Sequence, residues 1–246
     1  MRQHSPESSG WLDRARANWS ERVEWWDEMS ERNATAPDRL LDLDRTASAL
    51  RLQPGDRIFD AGCGSGQFAV AFAERGYVVT ASDLVPEMVE RGRRHAAESG
   101  VDVTWRIGDL SETIERGERF DAIHARMTLQ FVPDLVRALQ RFERALAPGG
   151  RLYTGVPGAC SPIYDATWRR HLPGWSDSIT YLTPWDLERV LEHLGWSIVD
   201  EWSGGYLEGF DNAGWEFTRD RGDLVALRTR QTLAFTWTII AERPEK

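Results

Sequence analysis

Three glycines at every second position, Gly62, Gly64 and Gly66, follow the apolar pair Ile58-Phe59 and an acid, Asp60. No Cβ intrudes at such positions, so the backbone can turn sharply and lie against a ligand. Phe68, Ala69, Phe72 and Ala73 then recur at helical spacing, and Gly76 stops that helix. Tyr77 to Ala81 is a second apolar run, with Asp83 just past its end. The order is strand, glycine turn, helix, strand, acid. The helix aims its unpaired N–H groups at a ligand on the turn. An acid after the second strand can accept from both hydroxyls of a ribose. The nicotinamide fingerprint G-x-G-x-x-G/A fails, because Gln67 stands where its third small residue belongs.

The alternation continues along the chain. Strands are predicted near 57–61, 77–82, 102–107, 120–125 and 150–156. Helices are predicted at 66–75, 86–98 and 133–146, with a short one near 111–116. This pattern implies an α/β fold with a doubly wound, mostly parallel sheet, and ligands at the carboxyl ends of its strands. The loops 61–66, 83–88, 108–110 and 124–130 all follow strands and fall on that one edge. Upstream, Trp11, Ala15, Trp19, Val23, Trp26 and Met29 predict one helix, broken at Asn33 to Ala36. Thr35-Ala36-Pro37-Asp38 opens a second, with Leu40, Leu43, Ala47 and Leu50 on its buried face. Downstream, residues 157–182 read as a lid or substrate wall with a short helix around 164–171. Thr183-Pro184-Trp185-Asp186 caps another helix, Trp196 to Trp202 is a strand, 203–222 is a second insertion, and Leu233 to Ala241 is a final strand.

Asp60 to Gly66 fits D-x-G-x-G-x-G, and here the chain resembles the class I S-adenosylmethionine-dependent methyltransferases of small-molecule type. Arg106-Ile107-Gly108-Asp109-Leu110, Phe120-Asp121-Ala122-Ile123 and Pro148-Gly149-Gly150 agree with that family's third, fourth and fifth strands. The resemblance implies a Rossmann-like, seven-stranded sheet whose last strand is antiparallel. It implies a helical cap at 1–53 covering the cleft and a cofactor-binding domain at 54–246. It implies S-adenosyl-L-methionine as cofactor, with roles residue by residue. Asp60, Gly62, Cys63, Gly64 and Gly66 approach its methionine part. Asp83 takes the ribose hydroxyls, Leu84 and Met88 pack on the adenine, Asp109 accepts from its amino group, and Leu110 stacks beside it. Ala125 and Arg126 line the sulfonium side. Arg126 stays open between anchoring the cofactor carboxylate, anchoring an anionic acceptor, and plain solvation. Asp83 and Asp109 taken singly also suit turn acids, and Met88 a core position.

These motifs report binding and leave the chemistry open. Methyl transfer to a small molecule, O before N, leads. The rivals are the same fold using the cofactor for decarboxylation, hydroxylation or cyclisation, and a nonenzymatic subunit partnering a methyltransferase. A net charge of −9 argues against a nucleic-acid partner. The N-terminus lacks an apolar signal core and no apolar run is long enough to span a membrane, so a cytoplasmic protein without membrane contact is expected. Cys63 and Cys160 make no disulfide framework, and no metal cluster has convincing spacing. Of twelve tryptophans only Trp105 lies between Arg57 and Val156. Trp19, Trp25, Trp26, Trp168, Trp175 and Trp215 fall in the elements that cap the cleft in the family, which suits an aromatic or polyketide-like acceptor. Packing in a core or dimer contact is the competing account, and Trp185, Trp196 and Trp237 go to the core. Gln130, Tyr164 and Trp168 join Trp25 and Trp26 as candidate acceptor contacts, and His171 as a candidate base. His124 is expected to be buried against a helix, with His95 and His193 on helices away from the edge. The acceptor, the atom methylated and the oligomeric state are left open.

Overall fold

A computed structural model describes residues 6–34, 37–110, 112–164, 167–173, 178–203 and 224–244. Thr35, Ala36, Trp175, Trp215 and nearly all of the insertion at 203–222 lie outside the described residues.

The core alternates as the sequence implies: β1 (Arg57–Ala61), α4 (Gln67–Glu74), β2 (Val78–Asp83), α5 (Pro86–Ser99), β3 (Val103–Ile107), β4 (Phe120–Arg126), α6 (Leu135–Ala145) and β5 (Leu146–Pro157). Three helices precede it: α1 (Pro6–Ser20), α2 (Val23–Ala34) and α3 (Pro37–Ala49). After it come α7 (Pro184–His193), β6 (Ser197–Ser203), α8 (Leu224–Leu233) and β7 (Thr236–Glu242). The sheet runs β3-β2-β1-β4-β5-β7-β6. β7 is antiparallel to both neighbours, so it returns through the sheet between β5 and β6.

Local chemistry explains the helix starts. Gly66, in the left-handed region at φ 82°, precedes α4 without a side-chain cap. Pro86 begins α5 with its fixed φ. Asp134 accepts from Arg137 N–H at 2.9 Å ahead of α6, and Thr183 accepts from Asp186 N–H at 3.2 Å ahead of α7. Alternation along β1 then sorts two cores. Phe59 and Ala61 face the α6, α7 and α8 layer with Leu139, Phe142, Leu187 and Leu227. Ile58 faces the α3 and α4 layer with Leu43, Leu50 and Phe72.

Three expectations are corrected. The single helix through Met29 is two helices: Arg22 N–H bonds the Trp19 carbonyl at 3.0 Å, a tight i to i−3 turn, and α2 restarts at Val23. The short helix near 111–116 is one turn, in which Glu112 and Thr113 N–H groups share the Asp109 carbonyl. Arg106 stops its growth by taking the Thr113 carbonyl at 2.6 Å and pairing with Glu118 at 2.7 Å through both nitrogens. That pairing holds the Glu118 carboxyl below the usual carboxylate range. α8 is additional; its apolar face is short, and no strong helical period announces it.

Trp105, alone of the tryptophans within the alternating core, fills a notch cut by two glycines. A Cβ at Gly66 or at Gly92 would lie 2.4 Å from its Cη2. Gly92 sits inside α5 with ordinary helical geometry, so substitution there adds overpacking and no backbone strain. Gly92→Ala is expected to destabilise the fold by about 1–3 kcal/mol. Chemical denaturation checks this, and adding Trp105→Leu should recover part of the loss.

Candidate functional site

β1 and β2 are paired in register, Asp60 beside Ala81 and Ala61 beside Ser82, so both strands deliver their terminal acids to one edge. The turn between β1 and α4 is drawn onto the end of β2. Gly62 and Cys63 N–H groups both donate to the Ser82 carbonyl, at 2.8 and 3.0 Å. Gly64 N–H donates to Asp83 Oδ2 at 2.9 Å, and Val85 N–H to Asp83 Oδ1 at 2.9 Å. Burial pushes the Asp83 carboxyl up, the Asp60 charge adds to this, and the Val85, Gly64 and Leu84 N–H groups oppose it. Burial also pushes the Cys63 thiol well up, helped by Asp83 and then Asp60, so Cys63 is a neutral packed thiol. A glycine turn flanked by two carboxylates favours a ligand that brings hydroxyl donors and positive charge.

Asp60 is 2% exposed. Its Oδ1 lies 2.8 Å from Nδ1 of His124 on β4, which is 1% exposed. His124 packs on Phe68 and Phe72 of α4, as expected of a buried histidine. The loop after β4 braces the turn from below. Met127 is at φ 55°, a left-handed value uncommon for a residue with a side chain, and its N–H donates to the Gly155 carbonyl at 2.7 Å. Thr128 follows, and a Cβ on Gly62 would fall 2.2 Å from Thr128 Oγ1. Only glycine fits there.

The other predicted residues fall as follows. Leu84 is half-buried and its carbonyl accepts from Arg16 of α1 at 3.2 Å. Met88 and Val85 are buried with Val23 of α2, and Trp19 and Trp26 pack against them. Asp109 follows Gly108, whose N–H donates to the Asp83 carbonyl at 2.9 Å; Leu110 and Ala125 belong to the α6 and α7 core. Arg126 turns toward α3: its guanidinium stacks on Phe68 at 5.1 Å, with Nε 4.0 Å from Asp42. Gln130 is buried, donating to the Met127 carbonyl at 2.9 Å. Tyr164 is buried, its hydroxyl donating to the Leu182 carbonyl at 2.9 Å, and burial pushes that phenol far up. Trp25 and Trp168 are 55% and 58% exposed. His171 is exposed at the end of the short turn Thr167–His171.

The N-terminal helices reach the turn through Trp26, which the sequence singled out, and through Asp27 and Arg16, which it did not. Trp26 of α2 lies over the turn: a Cβ at Gly64 would be 2.9 Å from its Nε1. The neighbouring Asp27, buried, pairs with Arg91 of α5 and lies 3.8 Å from His95 Nε2. His95 Nδ1 is 2.9 Å from the Ser65 carbonyl, so His95 touches the glycine turn instead of lying away from the edge. α1 spans the loops beyond β2 and β4, through Arg16 and through Trp11 Nε1, which donates to the Phe131 carbonyl at 2.8 Å. A buried Asp on an amphipathic cap helix was the available signal; its partner on α5 is a tertiary fact.

Comparison with known proteins places this geometry. Residues 58–150 match the family model described as a methyltransferase domain. Over these residues, which carry β1 through α6 and the start of β5, the chain is similar to a methyltransferase domain. A ubiquinone biosynthesis O-methyltransferase of Xylella fastidiosa (strain M23) is 36% identical over 133 residues, 54% of each chain. The chain thus spans about half the length of the curated relatives it matches. Among solved structures, the Burkholderia thailandensis 1,6-didemethyltoxoflavin-N1-methyltransferase with bound 1,6-didemethyltoxoflavin and S-adenosylhomocysteine superposes with TM-score 0.64 at 19% identity, covering 100% of this chain and 93% of that one. The cyclase SpnF superposes with TM-score 0.62 at 20% identity, over 85% and 81% of the two chains. At these identities the superpositions show the fold alone. Among the described residues no helix is long and apolar enough to cross a membrane.

Asp27 is a buried polar link between α2 and α5, so its loss should loosen the N-terminal helices selectively. Asp27→Ala is expected to speed hydrogen exchange in α1 and α2 while leaving β1, β4 and β5 protected. Uniform acceleration through the sheet would show instead that Asp27 supports the whole fold.

Proposed function

We propose that this protein binds S-adenosyl-L-methionine at the β1 to β2 edge and transfers its methyl group to a small-molecule acceptor, an oxygen atom before a nitrogen. The observation carrying this is Asp83, held by two backbone N–H groups beside a glycine turn into which no Cβ fits at Gly62. The residues present fit the group: a carboxylate for ribose hydroxyls, a glycine cradle, and a buried Asp60 Oδ2 without a hydrogen-bond partner among the described residues. Bound there, the cofactor supplies an activated methyl group on positively charged sulfur. Asp83 would hold the ribose, and Leu84, Met88, Asp109 and Leu110 the adenine. Asp60 and the turn would face the methionine part, with Ala125 and Arg126 alongside. The protein's remaining work is to align the acceptor and exclude water. In this reading residues 1–53 cover the cleft, and 54–246 form the methyltransferase domain, with insertions at 157–182 and 203–222 facing the acceptor.

The name of the Xylella relative supports O-methylation, over a match that reaches only half of each chain. A phenolic acceptor suits the aromatic residues Trp25, Trp26, Tyr164 and Trp168, with Gln130 as a polar contact. Phenols ionise readily and need little help from a base; His171 is the histidine we assign to that role. The likeness to SpnF supports a second reading, in which the same site serves a cyclisation. Release of S-adenosylhomocysteine with turnover distinguishes them, since cyclisation leaves the cofactor intact.

Calorimetry with S-adenosylmethionine and S-adenosylhomocysteine tests the site. Binding is expected in the wild type and a loss of about tenfold or more in Asp83→Ala. Wild type that binds neither overturns the reading. The pH dependence follows from the sign of the Asp83 shift. Hydroxyl donors favour ionised Asp83, so affinity is full above its pKa and declines as pH falls through it. Because that pKa is raised, the decline should begin above the range of an ordinary carboxylate. Asp83→Ala should flatten this limb.

A further inference from the structure

We propose that His124 is a positioning residue: it orients Asp60 so that the second carboxylate oxygen, Oδ2, accepts from the α-ammonium of the amino-acid part of S-adenosylmethionine. The inference rests on the cofactor reading above and adds a residue and an atom-level contact to it.

Asp60 and His124 are register partners across β1 and β4, so their side chains leave the sheet on the same face. Both are almost wholly buried. Among the described residues the Asp60 carboxylate takes one hydrogen bond, from His124 Nδ1 to Oδ1 at 2.8 Å. An ionised carboxylate can only accept, so Nδ1 carries the proton and Nε2 is left as an acceptor. Nε2 is buried without a partner among the described residues, and the ring lies against Tyr153 at 4.6 Å and Phe68 at 5.0 Å. As core filling, an imidazole is a poor choice there, since a phenyl ring would pack without orphaning a nitrogen. The bond to Asp60 is what the imidazole adds.

Asp60 Oδ2 is equally buried and has no partner among the described residues. Asp60 ends two residues before Gly62, and its charge is felt by both Cys63 and Asp83. A half-satisfied carboxylate at the root of the glycine turn is completed by a cation lying on that turn. Of the cofactor's parts, the methionine α-ammonium is the compact hydrogen-bonding cation; the sulfonium has no proton to donate.

The test compares S-adenosylhomocysteine with 5′-methylthioadenosine, which keeps the nucleoside and lacks the amino-acid part. Calorimetry on His124→Phe should show S-adenosylhomocysteine weakened about tenfold, with 5′-methylthioadenosine unchanged. His124→Asn places an amide donor near the Nδ1 position and should recover most of the loss. His124→Gln carries its amide toward the Nε2 position and should resemble His124→Phe, which keeps the comparison available if the phenylalanine variant does not fold. Equal weakening of both ligands, or no change in either, overturns the positioning role while the cofactor reading stands. Wild type that binds neither ligand overturns both.

Discussion

Two carboxylates ending adjacent parallel strands have to be reconciled with one another before anything else at this edge can form. Parallel pairing puts Asp60 and Asp83 on the same side of the sheet, and the Asp60 charge adds to the upward push that burial gives the Asp83 carboxyl. The chain answers with donors. Gly64 and Val85 N–H groups go to Asp83, and His124 goes to Asp60. Supplying the first of these pulls the turn down onto β2, where Gly62 and Cys63 bond the Ser82 carbonyl. A turn pulled that close meets Thr128 beneath Gly62, which is why the strained Met127 and its bond to Gly155 matter. The order of β2, β1, β4 and β5 across the sheet is therefore also the order in which the site is braced.

Much of this was legible because it depends on residues close in sequence. Asp60, the three glycines and Asp83 lie within one strand-turn-helix-strand unit, so spacing alone places them together. Pro86 and Thr183 announced their helices for equally local reasons. The misreadings share the opposite property. Nothing near Ser20 requires the break between α1 and α2, because apolar spacing continues across it. The helix expected near 111–116 is stopped by Arg106, which arrives from β3 and draws its partners from Thr113 and Glu118. His95 looked remote because α5 points away from the edge, yet its side chain reaches back to the Ser65 carbonyl. Side-chain reach across elements has no signature in a period of 3.6 or 2.

Helix α2 packs on the side of the edge that the proposed reading gives to the methyl donor. Val85 and Met88, on the side assigned to adenine, are buried under Val23 with Trp19 and Trp26 beside them. The same helix carries Asp27, tied to Arg91 on α5, which itself begins directly after Asp83 and Leu84. In the proposed reading, adenine at Leu84 and Met88 would therefore lie beside α2. The family match runs from residue 58 to residue 150, after α3 and before either expected insertion. Eleven of the twelve tryptophans lie on the two sides of that match. In the proposed reading a substitution in α2 reaches the donor side through Val23 and Trp26, even though it touches neither acid of the turn.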